Sequence, residues 1–386
     1  MKMKNIKKWL ALGLASLLIA GLTIGCGQKT SEPTESAGSA DTTADSKEKN
    51  SDEALADEDS ATDEAMELNI LNWGDYIDEE VLQEFQDEYP NIDVSYEMMS
   101  SNEEMLTLLQ SGGSSYDVCF PSDYTIAKMI KMDLLAEIDH SQLSNLSNID
   151  ERYLNLDFDP GNKYSIPYHW GTVGILYNQT LVNEPVDSWN ILWDPKYKKQ
   201  IFMYDSERDS LGVALIRLGY SLNSTDEAEI KQAADSLIQQ KSLVQAYGID
   251  DLRDKMISGA GTFAVVYSGD AVDAVNQNPD LAYAIPDEGS NVWFDNVIIT
   301  KDSPNQKAAY LFINYLLRPD VAARNAEYIG YSTPNKAALE LLPAELRDNS
   351  IFNPTDEELA RCEIFEDVGD AIKLYNAEWL RVKAAK

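Results

Sequence analysis

The chain has 386 residues, 44% of them hydrophobic and 25% charged, which is ample for a packed core and long enough for two domains. Its formal net charge of −35 repels nucleic acid and anionic lipid, so a charged ligand is expected to be a cation. With only two histidines, three cysteines and no CxxC spacing, a zinc centre or a histidine-based triad has little to draw on, and no cofactor is expected.

The chain order begins with residues 1–25, which read as a secretory signal peptide: MKMKNIKK supplies a basic start and WLALGLASLLIAGLTIG an apolar run ending in small residues. Cys26 follows, and TIGC resembles a bacterial lipobox, with Thr23 where Leu is usual. Cys26 is therefore expected to carry a lipid anchor on the outer face of the cell membrane. Residues 26–67 lack aromatics and are rich in Ser, Thr, Ala, Asp and Glu, so they read as an acidic flexible tether.

The folded part is expected from Leu68. LNILNW alternates as a strand, and Glu79–Tyr89 places Val81, Leu82, Phe85 and Tyr89 on one helical face. IDVSYEMM is a second strand. Asn102–Gln110 is a helix with Asn102 as its expected N-cap. YDVCFPSDY is a short strand leading to a helix over Thr125–Met132, and Cys119 within it is expected to be a buried free thiol. GTVGILYN is a strand, QIFMYDSERDSLGVALIRLGY is strand, polar loop and helix, and GTFAVVYSGDAVDAVNQ is strand, turn and helix. NVWFDNVIIT is a strand, and the helical stretch after it breaks near Pro319. The alternation predicts an α/β architecture with a largely parallel sheet in two halves.

Ligands of such sheets bind outside the carboxyl ends of the strands. Those ends carry Trp73, Asp75 and Tyr76; Ser122, Asp123 and Tyr124; Asp205, Ser206 and Asp209; Tyr267; Trp293 and Asp295; and Tyr331 in IGYSTPN. Taken singly, each is ordinary capping or core chemistry. Together, acids and aromatic faces are what a buried organic cation requires: a carboxylate offsets the desolvation of an ammonium, and methylenes lie against rings. The same groups suit a sugar.

Several ordered motifs, among them NWGDYI, VCFPSDYTIAKM, DFDPGNKYSIPYHWGTVGI, VWFDN, INYLLRPDVA and IGYSTPN, give the chain its resemblance to the substrate-binding lipoproteins of bacterial spermidine/putrescine ABC transporters, over about residues 68–386. The resemblance implies an α/β, two-lobed periplasmic-binding-protein fold of type II that closes about a hinge. It implies stacking rings at Trp73, Tyr76, Tyr124, Tyr267, Trp293 and Tyr331, a central carboxylate at Asp295, and a hydroxyl at Ser122. Of the family's two acids three positions apart in the DSERD loop, the second matches Asp209; Ser206 stands in place of the first, with Asp205 adjacent. Gly74 replaces a Thr found in some members, and Phe365 a Gln. With Asp295 and Asp209 as the placed acids, and Asp75, Asp123 and Asp205 as extras, a preference for putrescine over spermidine is expected.

The implied role is capture of a polyamine outside the cytoplasm and delivery to an ABC permease and its ATPase, without catalysis. The crossovers are expected near Gly171 and Asn291, giving lobes 68–171 plus 292–339 and 172–291 plus 340–386. The rival readings are a carrier of the same fold for a sugar, amino acid or iron, and an extracellular hydrolase using Asp205 and Asp209 as a carboxylate pair.

Overall fold

The computed structural model describes residues 64–111, 116–249 and 251–385. The expected signal peptide, Cys26 and nearly all of the tether lie outside the described residues.

The nine strands of the described chain form one sheet. In chain order they are β1 (Met66–Trp73), β2 (Ile92–Met99), β3 (Val118–Cys119), β4 (Ser165–Asn178), β5 (Ile201–Tyr204), β6 (Val244–Gly248), β7 (Phe263–Tyr267), β8 (Leu281–Ala284) and β9 (Val292–Ile299). Their spatial order is β2-β1-β3-β9-β4-β7-β5-β6, with β8 added on β4. The longer helices are α1 (Glu79–Glu88), α2 (Asn102–Ser111), α3 (Asp123–Lys131), α4 (Glu207–Arg217), α5 (Glu227–Gln240), α6 (Asp251–Ile257), α7 (Ser268–Gln277), α8 (Gln306–Leu316) and α9 (Pro319–Ile329). Local chemistry sets several ends. Asp78 caps α1 by accepting from the Glu80 N–H. Pro319 opens α9, and Gly330 ends it with φ of 83°.

The sheet is mixed, which corrects the expectation of a largely parallel one. β1 pairs in parallel with β2 and β3, and β5 with β6 and β7, but β9 runs antiparallel to β3 and β4, and β4 antiparallel to β7 and β8. The reason is the crossing itself. β4 carries the chain out of the first half of the sheet and β9 brings it back, so the two necessarily run in opposite directions.

β4 is the frame of the molecule. Ser165–Thr172 pair with β9, and Val173–Asn178 pair with β7 and β8. The cores divide at about the same place. One gathers Leu68, Ile70, Phe85, Phe120, Ile166 and Phe312, and the other Val173, Phe202, Leu215, Phe263, Tyr375 and Trp379. These are the two lobes of an α/β fold, with β4 and β9 passing between them. Cys119 is buried and Cys362 half-buried, both as free thiols.

Candidate ligand-binding site

The site begins at the carboxyl ends of β1 and β3. Tyr76 follows β1, Ser122 follows β3, and both turn to Asp295 on β9. The Tyr76 hydroxyl donates to Asp295 Oδ2 at 2.7 Å, and Ser122 Oγ donates to Oδ1 at 2.7 Å. Ser122 occupies the N-cap position of α3 yet makes no side-chain cap bond, because its hydroxyl is committed to Asp295. Burial pushes the Asp295 carboxyl up to about 6, against the pull of the Ser122 and Tyr76 hydrogen bonds.

Asn102 braces this end. Its Nδ2 donates to Ser122 Oγ at 3.1 Å and to the Tyr124 hydroxyl at 3.0 Å, while its Oδ1 accepts from the Ser122 N–H at 3.1 Å. Asn102 is thus not the N-cap the sequence suggested. Ser101 Oγ accepts the Glu104 N–H instead, which frees the buried Asn102 side chain for the site. The adjacent Ser-Asn pair at the start of α2 was the available signal.

The other end belongs to the second lobe. Asp209, in the first turn of α4, is 7% exposed. Its Oδ2 accepts from Ser206 Oγ at 2.6 Å and from the Tyr267 hydroxyl at 3.2 Å, and its Oδ1 is buried with no hydrogen-bond partner. Burial raises this carboxyl too. Among the described residues, neither Asp209 nor Asp295 enters an ion pair.

A path of rings joins the two carboxyl groups. Tyr267 meets Trp293 edge to face at 6.0 Å, Trp293 meets Tyr331 at 4.8 Å, and Tyr331 meets Tyr76 at 6.2 Å. Tyr124, though on the first lobe, packs its ring against the core of the second. Trp73 stands at the end of β1, half-buried, with its indole N–H fixed on the Phe120 carbonyl at 2.8 Å.

Three proposed acids fall outside this constellation. Asp75 is exposed, on a left-handed turn with φ of 50°. Asp205 is exposed and pairs with Lys383 Nζ at 3.1 Å. Asp123 is fully buried, but its oxygens accept the backbone N–H groups of Phe294 at 2.9 Å and Tyr124 at 2.7 Å, so it ties β9 to α3. Burial pushes it up to about 8, which leaves it a weak source of negative charge. With Asp205 turned to solvent and Asp209 to the interior, the pair has no common point for hydrolytic chemistry.

Two neighbours complete the surroundings. Phe365 lies in the second core with the Arg208 guanidinium 4.4 Å from its ring centroid. His169 sits directly across from Asp295 in the β4–β9 pairing and packs edge-on against Tyr76 at 5.7 Å. Its Nδ1 faces the Ser332 carbonyl at 3.2 Å, and burial pushes it down to about 4, so it is neutral. No group of metal-ligating side chains is present among the described residues.

Residues 80–354 match the family model of bacterial extracellular solute-binding proteins. The spermidine/putrescine-binding periplasmic protein of Salmonella typhimurium is 36% identical over 321 residues, covering 83% of this chain and 92% of the relative. The putrescine-binding periplasmic protein SpuD of Pseudomonas aeruginosa is 31% identical over 339 residues, covering 83% and 92%. The crystal structure of PotD, the spermidine/putrescine ABC transporter substrate-binding protein of Streptococcus pneumoniae, superposes with a TM-score of 0.76 at 43% identity, covering 83% of this chain and 99% of that one. The fold is the two-lobed one of the periplasmic binding proteins, and the chain belongs to the bacterial extracellular solute-binding proteins, the family that includes the spermidine/putrescine-binding periplasmic proteins.

Proposed function

We propose that this protein captures a polyamine outside the cytoplasm and hands it to an ABC importer. The observation that carries the reading is the pair of buried carboxyl groups, Asp295 and Asp209, one from each lobe, with no ion-pair partner among the described residues and a path of rings between them. A diammonium ion supplies what both lack. Each ammonium meets one carboxylate, and the methylenes lie along Tyr267, Trp293, Tyr331 and Tyr76. The names borne by the relatives, spermidine/putrescine-binding and putrescine-binding, agree in ligand class.

In this reading Tyr76, Ser122 and Asp295 hold the end in the first lobe, with Tyr124 and Trp73 beside them. Ser206, Asp209 and Tyr267 hold the end in the second. The lobes are 68–171 plus 292–339 and 172–291 plus 340–386, and they close on the ligand. Two carboxylates at the site suit putrescine better than spermidine, since a third buried positive charge without a partner costs several kcal/mol. The protein is a carrier rather than an enzyme. Its partners are a permease with its ATPase, and lipid on Cys26 keeps it at the outer face of the membrane.

Thermal-shift screening with putrescine, spermidine, an amino acid and a sugar tests the reading. Stabilisation by the amines alone supports it, because a ligand raises stability according to its excess over the dissociation constant. Stabilisation by the sugar or amino acid and by neither amine would remove it.

A further inference from the structure

Gly269 is the second residue of α7, in the second lobe, and the Tyr331 ring of the first lobe rests on it. A Cβ built on Gly269 would lie 2.5 Å from Tyr331 Cε1 and 2.8 Å from Cδ1 and Cζ, closer than packed atoms approach. The backbone does not require the glycine, since Gly269 is absent from the residues with positive φ. Glycine inside a helix also costs stability relative to alanine. The close approach of the Tyr331 ring, rather than the backbone conformation, accounts for a glycine at this place in the first turn of α7.

The start of α7 is tied to the crossing strand as well. Ser268 Oγ accepts the Thr172 N–H at 3.2 Å, next to Gly171, whose own Cβ would stand 2.6 Å from Trp293 Cζ2 and 2.8 Å from Ser268 Oγ. Tyr331 is in turn wedged between Trp293 and Tyr76, so it has little room to retreat without disturbing the ring path.

We propose that Gly269 is the seat on which the lobes close, a positioning residue that lets the Tyr331 ring reach its place over the ligand. The proposal rests on the polyamine reading above. It separates two things usually coupled: stability of the ligand-free protein and tightness of the closed, liganded state.

The test is Gly269→Ala, alone and combined with Tyr331→Ala, measured by calorimetric titration with putrescine, thermal melting without ligand, and small-angle scattering with and without putrescine. Alanine is expected to leave ligand-free melting unchanged or raised, and to reduce putrescine affinity by about tenfold to a hundredfold, the scale of overpacking a filled contact. Ligand-induced compaction should be lost in the same variant. In the Tyr331→Ala background the added alanine should change affinity by less than about twofold, because the ring it strikes is gone. Wild-type affinity in Gly269→Ala, an undiminished loss in the Tyr331→Ala background, or a fall in ligand-free melting would each overturn the proposal. Failure of the wild-type protein to bind putrescine would instead overturn the reading on which it rests.

Discussion

Asp295→Asn is expected to move ligand-free stability and ligand affinity in opposite directions. Burial raises the Asp295 carboxyl from 3.8 to about 6. An acid whose folded value lies above its unfolded value binds more protons when folded, so its ionisation costs stability above about pH 6, and the cost fades as pH falls towards 4. At neutral pH the cost is roughly 3 kcal/mol, at 1.4 kcal/mol per unit. Asparagine keeps the shape and removes the charge, but only one of the Ser122 and Tyr76 hydroxyls keeps an oxygen to donate to, and the other must turn to accept from the amide N–H. Allowing about 1 kcal/mol for the poorer amide fit, the ligand-free variant should gain about 2 kcal/mol, or a few degrees in melting temperature.

Affinity should fall much further in the other direction. Leaving one end of a diammonium buried without its carboxylate costs about 3–5 kcal/mol, or roughly a hundredfold to a few thousandfold. Differential scanning calorimetry without ligand and titration with putrescine read the two halves separately. A variant that binds putrescine within threefold of wild type, or whose ligand-free stability drops, would show that Asp295 is a structural residue and not the anchor of a cation.

The same carboxyl predicts a pH profile. Putrescine affinity of the wild-type protein should fall as pH drops below about 6, as a proton competes for Asp295, and Asp295→Asn should lose that part of the fall while keeping the part due to Asp209. Ser206→Asp should keep the α4 cap, since Asp caps as well as Ser. The added charge beside Asp209 should shift the spermidine-to-putrescine affinity ratio towards spermidine by about tenfold, the weight of one charge-assisted hydrogen bond; an unchanged ratio in competitive titration would rule out this end as the source of selectivity. Trp293→Ala should weaken binding of both amines by about 2–3 kcal/mol, the area term of a stacked ring, without moving their ratio.

The placement of several candidate residues was legible because it follows strand ends. Tyr76, Ser122 and Tyr267 stand at carboxyl ends of strands, whereas Trp293 and Asp295 lie in the first half of β9, which its antiparallel direction brings beside them. The side-chain direction of the remaining acids was not legible. Asp75, Asp123 and Asp205 have the same residue type as Asp295. One faces solvent from a left-handed turn, one binds backbone N–H groups, and one pairs with Lys383 some 180 residues away in sequence. Nothing local encodes which partner wins. Asn102 was misjudged for a related reason: Ser101 takes the cap, and the freed amide acts on residues twenty positions away. Strand direction failed likewise. Alternating strands and helices imply parallel pairing, but β4 and β9 are outgoing and returning passages between lobes, and only the full path of the chain makes them antiparallel.

Isothermal titration of the purified protein with putrescine and with spermidine tests the central claim most directly. The account predicts one site per chain for putrescine, bound more tightly than spermidine, with affinity lost when Asp295 and Asp209 are both replaced by asparagine. Absence of binding by either amine, or binding that survives loss of both carboxylates, would contradict it.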